Sequence, residues 1–221
     1  MPHDIAVVIG YAQSLDGNVA TSTGDSRWIS GPESLEYAHT LRRDNDAILV
    51  GIGTVLRDDP LLTCRLPQAR SPHRVVLDSQ LRVPLNAQLV RTAAEVPTTV
   101  FTTHARLETE DDIVRRLRQA GVVLSPTRSD ASGALDLSEV LRHLRASGRS
   151  SVFVEGGGRI ITSFLSAQLV DELHLVIAPI LIGGGVSAVG DLGVRSLADA
   201  FRFRTVATEQ LGEDLLWKMT R

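Results

Sequence analysis

A carboxylate followed by three glycines, Glu155-Gly156-Gly157-Gly158, stands between an apolar run, Val152-Phe153-Val154, and a stretch in which Ile160, Ile161, Phe164 and Leu165 recur at helical spacing. That order reads as a buried strand, a tight turn and a helix. Glycines let a backbone approach a bulky anion, while the free N–H groups and positive dipole end of the following helix favour phosphate. The run has neither the Lys-Ser or Lys-Thr of a Walker loop nor the spacing of the dinucleotide fingerprint, so by spacing alone it fits a ligand-free turn equally well. Glu155 shifts the balance toward a site, because α/β proteins place ligand-binding groups where parallel strands end in a sheet crevice.

Other chemistries find less support. His3, His39, His73, His104, His143 and His174 have no metal-ligand spacing and read as solvated or core-satisfied rings, so no metal is expected. Cys64, the single cysteine, excludes an intrachain disulfide framework or a multi-cysteine metal site and reads as a small packing residue. No Gly-x-Ser-x-Gly elbow is present, which disfavours covalent catalysis. What remains is a set of strand-following loops carrying Ser, Thr, Arg, Asp and Gly, suited to one or two phosphorylated ligands.

The elements that must hold these groups alternate along the chain. Buried strands are expected at Ile5 to Tyr11, Asp46 to Gly51, Arg74 to Asp78, Thr98 to Thr102, Val122 to Leu124 and up to Glu155, with a further one from Leu173 to Ile177. Helices are expected from the Ser30-Gly31-Pro32-Glu33 start to about Asp44, over Thr54 to Asp59, over Asp111 to Gln119 with Gly121 as cap, and over Asp136 to Ser147. A second glycine-rich turn, Gly183 to Gly185, follows the Leu173 strand. Phe201 to Thr208 and Leu215 to Met219 alternate around Gly212 and read as a terminal antiparallel hairpin. The pattern predicts an α/β fold with a mixed, mostly parallel sheet, helices on both faces and an antiparallel edge.

At 221 residues with no Pro/Ser/Gly linker, one core and a single domain over 1–221 are expected. A net charge of −3, with Arg strongly preferred over Lys, argues against a nucleic-acid partner held by a basic surface. Neither a signal-like N-terminus nor an apolar run of membrane-spanning length occurs, so the expectation is a cytoplasmic protein with no membrane partner.

Ser14-Leu15-Asp16-Gly17, Gly24 to Ile29, Leu41-Arg42, Asp46 to Gly51, Gly53 to Pro60, Leu62 to Arg65, Val76 to Ser79, Val154 to Gly157 and Asp171 to Leu173 together resemble the reductase domain of riboflavin biosynthesis, which forms the C-terminal half of the bacterial bifunctional pyrimidine deaminase/reductase and also occurs alone. The resemblance runs in unbroken order from about Tyr11 to the C-terminus. It implies a dihydrofolate-reductase-like fold, a homodimer, and NADPH-dependent reduction of a ribosylaminopyrimidine 5′-phosphate to its ribityl form. Position by position, it implies cofactor contacts at Ala12, Trp28, Thr54, Asp58, Ser79 and the turn Gly157, Gly158, Arg159, Ile160, Ile161, Thr162 and Ser163. Substrate contacts are implied at Ser26, Arg42, Leu62, Arg65 and Glu155. Glu155 and Asp58 are the two candidates for the catalytic proton. Gly10 is a departure, since many relatives carry a lysine there. The zinc-binding deaminase domain is not in this sequence, so the substrate is expected to arrive deaminated or to be reduced before deamination. A reductase of another heterocycle, such as a pterin or dihydrofolate, and a non-catalytic nucleotide-binding protein are the alternative classes.

Overall fold

The computed structural model describes residues 4–130 and 132–221; His3 lies outside them. The elements run β1 (Ala6–Ser14), β2 (Asn18–Ala20), α1 (Pro32–Asp44), β3 (Ala47–Gly51), α2 (Ile52–Asp58), β4 (His73–Leu77), α3 (Gln88–Arg91), β5 (Thr98–Thr103), α4 (His104–Glu108), α5 (Asp112–Gln119), β6 (Val123–Thr127), α6 (Leu137–Ala146), β7 (Ser151–Val154), α7 (Gly158–Ser166), β8 (Glu172–Ala178), β9 (Val186–Ser187), β10 (Arg204–Leu211) and β11 (Asp214–Thr220).

Nine strands form one sheet in the order β10-β11-β8-β1-β7-β3-β4-β5-β6, and β2 pairs with β9 in a separate ribbon. From β8 to β6 every pairing is parallel; β11 runs antiparallel to β8, and β10 to β11. The central strands are apolar at successive positions because both faces of the sheet are covered. On one face Val7, Ile9, Leu49, Val75 and Val154 pack under α6 and α7 through Leu141, Leu144, Ile161 and Phe164. On the other, Val8, Ile48, Val50, Val76 and Phe153 pack with Leu41 of α1, Val55 of α2, Leu89 of α3 and Val114 and Leu117 of α5.

The crossover order decides where a ligand can go. After β1 the chain builds outward through β3, β4, β5 and β6, then returns so that β7 fills the gap between β1 and β3, with Val154 opposite both Ile9 and Leu49. These three strands point the same way. Their carboxyl ends therefore bring Gly10 to Ala12, Gly51 to Thr54 and Glu155 to Gly158 to one edge, the crevice position of open α/β sheets.

The expected elements form, with three corrections. The helix expected from Thr54 starts at Ile52, and Asp59, in left-handed conformation at φ 41°, ends it ahead of Pro60 by donating its N–H to the Val55 carbonyl. The four-residue α3 and five-residue α4 are too short to show a helical period in sequence. The β2–β9 ribbon joins segments more than a hundred and sixty residues apart, Asn18 with Ser187, so no local pattern announces it.

His73, at the start of β4, illustrates a satisfied histidine. Arg149 Nη2 lies 2.8 Å from Nδ1 and can only donate, so Nε2 carries the proton toward Thr99 Oγ1 at 2.9 Å. Burial, helped by the Arg149 and Arg74 charges, pulls the ring from 6.5 down to about 4. An unfolded chain binds this proton near pH 6.5 and the folded one only near pH 4, so His73 contributes stability above pH 6.5 that is lost as the pH falls toward 4. Replacing His73 by Gln should flatten the decline in urea-unfolding midpoint between pH 7 and pH 5; parallel declines in parent and variant would refute the assignment.

Candidate active site

Strand β7 delivers Glu155 to the sheet edge, where its N–H still bonds the Leu49 carbonyl of β3 at 3.0 Å. Its carboxylate is gripped by Arg42 from the last turn of α1: Nε to Oε2 at 2.7 Å and Nη2 to Oε1 at 2.5 Å. Burial works against the Arg42 charge, but the Glu155 carboxylate more than offsets it and holds the guanidinium above its ordinary range. A two-point fork fixes orientation as well as charge. Arg42 Nη1 also donates to the Thr63 carbonyl at 3.0 Å, which ties the pair to the loop after α2.

That loop has its own anchor. Arg74, fully buried in β4, donates to the carbonyls of Leu61, Leu89, Thr92 and Val96 and to the hydroxyls of Thr92 and Thr98, all between 2.7 and 3.1 Å. With no carboxylate bonded to it, burial pulls the guanidinium down to about 10, still a cation at neutral pH. Between the Leu61 carbonyl held by Arg74 and the Thr63 carbonyl held by Arg42, Leu62 adopts φ 53° with its side chain 2% exposed in the core. A left-handed leucine costs about 1–2 kcal/mol, offset here by burial of the side chain.

The three glycines answer to different constraints. A Cβ on Gly156 would stand 2.7 Å from Ile160 Cβ, and one on Gly158 2.7 Å from the Ser187 carbonyl oxygen of β9; at Gly157 the nearest atom is Arg57 Nη2 at 4.0 Å. Gly156 and Gly158 thus admit close packing within this chain, and Gly157 leaves the turn open. No side chain caps the start of α7, so the first N–H groups of the helix have no side-chain partner. The hydroxyls of Thr162 and Ser163 donate back to the carbonyls of Gly158 and Arg159.

The β2–β9 ribbon forms the opposite wall. Asp16 secures it by accepting from the Ser14 hydroxyl at 2.6 Å, the Gly183 N–H at 2.7 Å and the Ile182 N–H at 3.2 Å. The Ser14 hydroxyl and these two amides hold the Asp16 carboxyl far below its usual range. The Ser14-Leu15-Asp16-Gly17 segment is therefore a clamp on the second glycine turn.

A cleft opens between the ribbon, the strand ends and the glycine turn, lined by Tyr11, Ala12, Val19, Ala20, Ser26, Thr54, Arg57, Glu155, Gly157, Gly158, Ile161 and Val186 among others. Of the residues expected in a site, it unites Ala12, Ser26, Thr54, Glu155, Gly157, Gly158 and Ile161. Arg42 reaches it through Glu155. Arg65 is exposed on the neighbouring loop, its N–H on His39 Nδ1 at 3.2 Å, and Arg159 is exposed on α7. The others stand apart. Asp58 is paired with Arg57, Oδ1 to Nε at 3.5 Å; Ser79 follows β4 and gives its carbonyl to Thr102 and Thr103; Trp28 is 73% exposed on the loop after β2. Packing occupies two of the expected side chains: Leu62 lies in the core, and Ile160 packs beneath Gly51 and Gly156.

Sequence reading missed Tyr11, Val186 and Arg57. Arg57 had a signal, since Thr54 and Arg57 lie three apart on one helix face. Burial pushes the Tyr11 phenol up to about 12, so it stays neutral in the cleft. A Cβ at position 10 would meet Leu41 Cδ1 and Phe153 Cε2 at 2.8 Å each, so a side chain there requires these two to shift.

A mostly parallel sheet with helices on both faces, a C-terminal antiparallel pair and an acid beside a glycine turn at its central carboxyl edge defines a protein of the dihydrofolate-reductase-like class. The likeness to a solved dihydrofolate reductase from Enterococcus faecalis is one of fold alone, with a TM-score of 0.56 and 16% identity over 99% of this chain and 98% of that one. Within the class, the chain belongs to the RibD C-terminal domain family, whose sequence model matches residues 6–217. It is 39% identical over 211 residues to the riboflavin biosynthesis protein RibD of Aquifex aeolicus, covering 95% of this chain and 56% of that protein. It is 37% identical over 219 residues to the 2,5-diamino-6-ribosylamino-4(3H)-pyrimidinone 5′-phosphate reductase of Methanothermobacter thermautotrophicus, covering 97% of each. The solved RibD of Acinetobacter baumannii superposes with a TM-score of 0.82 at 26% identity, over 98% of this chain and 58% of that one. The chain thus spans just over half the length of the RibD proteins it matches.

The glycine geometry yields a contrast. Gly158→Ala drives a methyl into a backbone oxygen and should lower unfolding stability by about 1–3 kcal/mol, the usual cost of overpacking, whereas Gly157→Ala should stay within about 0.5 kcal/mol. Chemical denaturation of the two variants checks this; equal losses would contradict the division of roles.

Proposed function

We propose that the protein is an NADPH-dependent reductase of riboflavin biosynthesis that converts a ribosylaminopyrimidine 5′-phosphate, deaminated or still diamino, to the ribitylaminopyrimidine 5′-phosphate. The observation that carries this reading is Glu155, fixed by Arg42 at the end of the central strand, in one cleft with an open glycine turn. Membership of the RibD C-terminal domain family and the names of the relatives, a riboflavin biosynthesis protein and a diaminopyrimidinone phosphate reductase, support it.

The cleft fits a dinucleotide on its own chemistry. An uncapped helix start, an open Gly157 and the Arg57 cation nearby suit a pyrophosphate, and Thr54 stands at the start of the adjoining helix α2. Ala12 at the end of β1 offers a small, flat surface, and Ser79 with Arg82 on the loop after β4 are the groups to meet a 2′-phosphate. When bound, a reduced nicotinamide supplies the hydride that reduces C1′ of the sugar.

The remaining work falls to side chains of this chain. The catalytic gain comes largely from holding the sugar in place, with the 5′-phosphate as a distant anchor. Ser26 at the cleft and Arg65 on the exposed loop are the residues proposed to bind that phosphate. Glu155 orients the pyrimidine or passes a proton as the ribose ring opens, and its bond to Arg42 keeps it aimed. Arg42 serves the substrate through this carboxylate, since most of its fork is engaged by Glu155 and Thr63. A homodimer is the assembly proposed, the exposed terminal strand β10 offering surface for a second copy.

The deciding experiment mixes the protein with NADPH and each of the two ribosylaminopyrimidine phosphates and follows nicotinamide absorbance; no oxidation with either would overturn the reading. NADPH should be used with a lower Michaelis constant than NADH. Glu155→Gln should reduce turnover roughly a hundredfold, within the span of general acid–base catalysis, while Asp58→Asn stays within a few-fold; the reverse order would exchange their roles. Arg65→Ala should raise the substrate Michaelis constant roughly tenfold, as for a lost charge-assisted contact, with turnover nearly unchanged.

A further inference from the structure

Among the described residues lining the cleft, two side chains carry charge, Glu155 and Arg57. Their charges are met unequally. Glu155 receives two hydrogen bonds from Arg42. Arg57 has Asp58 as its partner, with Nε to Oδ1 at 3.5 Å and the two side chains 49% and 33% exposed, a separation too long for a well-formed hydrogen bond. Of the two charges in the cleft, the cation is therefore the more loosely held.

Its position narrows what that cation is for. Arg57 Nη2 is the nearest atom to the open side of Gly157, 4.0 Å from where a Cβ would stand, so the guanidinium faces the glycine turn. Gly157 is itself the N-cap of α7, whose start has no side-chain cap. Thr54, which also lines the cleft, lies one turn earlier on the same face of α2. A planar fork beside an uncapped helix start suits an anion with several oxygens, which is what two linked phosphoryl groups provide.

We propose that Arg57 is a dinucleotide-binding residue whose guanidinium meets the cofactor pyrophosphate opposite the Gly157 turn. The assignment rests on the cofactor reading above and adds to it a residue that neither the sequence pattern nor the resemblance singled out. Because the pyrophosphate is common to both nicotinamide dinucleotides, Arg57 acts on NADPH and NADH alike. It is then a determinant of affinity, and the choice between the two lies elsewhere.

The test measures equilibrium dissociation constants by titration calorimetry for NADPH and NADH, with ribose 5-phosphate as a probe of the substrate's phosphate, on the parent, Arg57→Ala and Arg57→Lys. Thermal melts of the ligand-free variants verify folding, which a half-exposed side chain does not control. Arg57→Ala should weaken both dinucleotides by the same factor, roughly tenfold to a hundredfold for a lost charge-assisted contact. Arg57→Lys should fall between, keeping charge without the fork, and added salt should narrow the difference between parent and Arg57→Ala. A loss confined to NADPH would assign Arg57 to the 2′-phosphate and overturn the proposal. So would a loss confined to ribose 5-phosphate, or no loss, which would leave Arg57 as a cation complementing the C-terminal end of α2. A parent protein that binds neither dinucleotide would instead overturn the cofactor reading, and this assignment with it.

Discussion

The Arg42–Glu155 pair is the joint on which the candidate site turns. It links the last turn of α1 to the end of β7 across the central edge of the sheet, and through Thr63 it draws in the loop after α2. Breaking one member of such a partly buried pair leaves a charge without its partner, which is more costly than the pair is stabilising. The same interaction that orders three segments therefore holds a carboxylate aimed at one point. Arg74 extends this order inward, because it ties the Leu61 carbonyl, on the loop whose Thr63 oxygen steadies Arg42, to the carbonyls of Leu89, Thr92 and Val96 in and after α3.

Position in the sheet explains why the site forms here. Parallel strands direct their carboxyl ends to one edge, and the return of the chain to insert β7 between β1 and β3 puts an acid and a helix start between two glycine-containing strand ends. The ribbon of β2 and β9 then closes the cleft from the side, with the exposed Asp16 carboxylate accepting from the Ile182 and Gly183 amides.

Within the glycine turn, packing and ligand access are separated by one residue. Gly156 accommodates Ile160 and Gly158 accommodates the Ser187 carbonyl, while Gly157 alone faces open space. A ligand-free turn and a phosphate cradle were equally compatible with the pattern of types. The molecule uses glycine for both reasons, at different positions.

Much of the fold was legible from the chain itself. Apolar runs such as Ala47 to Val50 report a strand buried on both faces, and the amphipathic period of 137–146 reports a helix lying on a sheet, because each depends on solvent exposure repeating along a local segment. Glu155 and its glycines were legible for the same reason: strand, turn and helix are adjacent in sequence. Tertiary structure alone decided the rest. It set the partner of Glu155, an arginine 113 residues away, the burial of Leu62 in the core and the packing of Ile160 beneath Gly51 and Gly156. It also placed Arg57 at the cleft with Asp58 beside it, and brought the two-residue β9 against Gly158. Contacts of this kind arise from the crossover order and from volume exclusion between distant segments, and neither leaves a periodic trace in the order of residues.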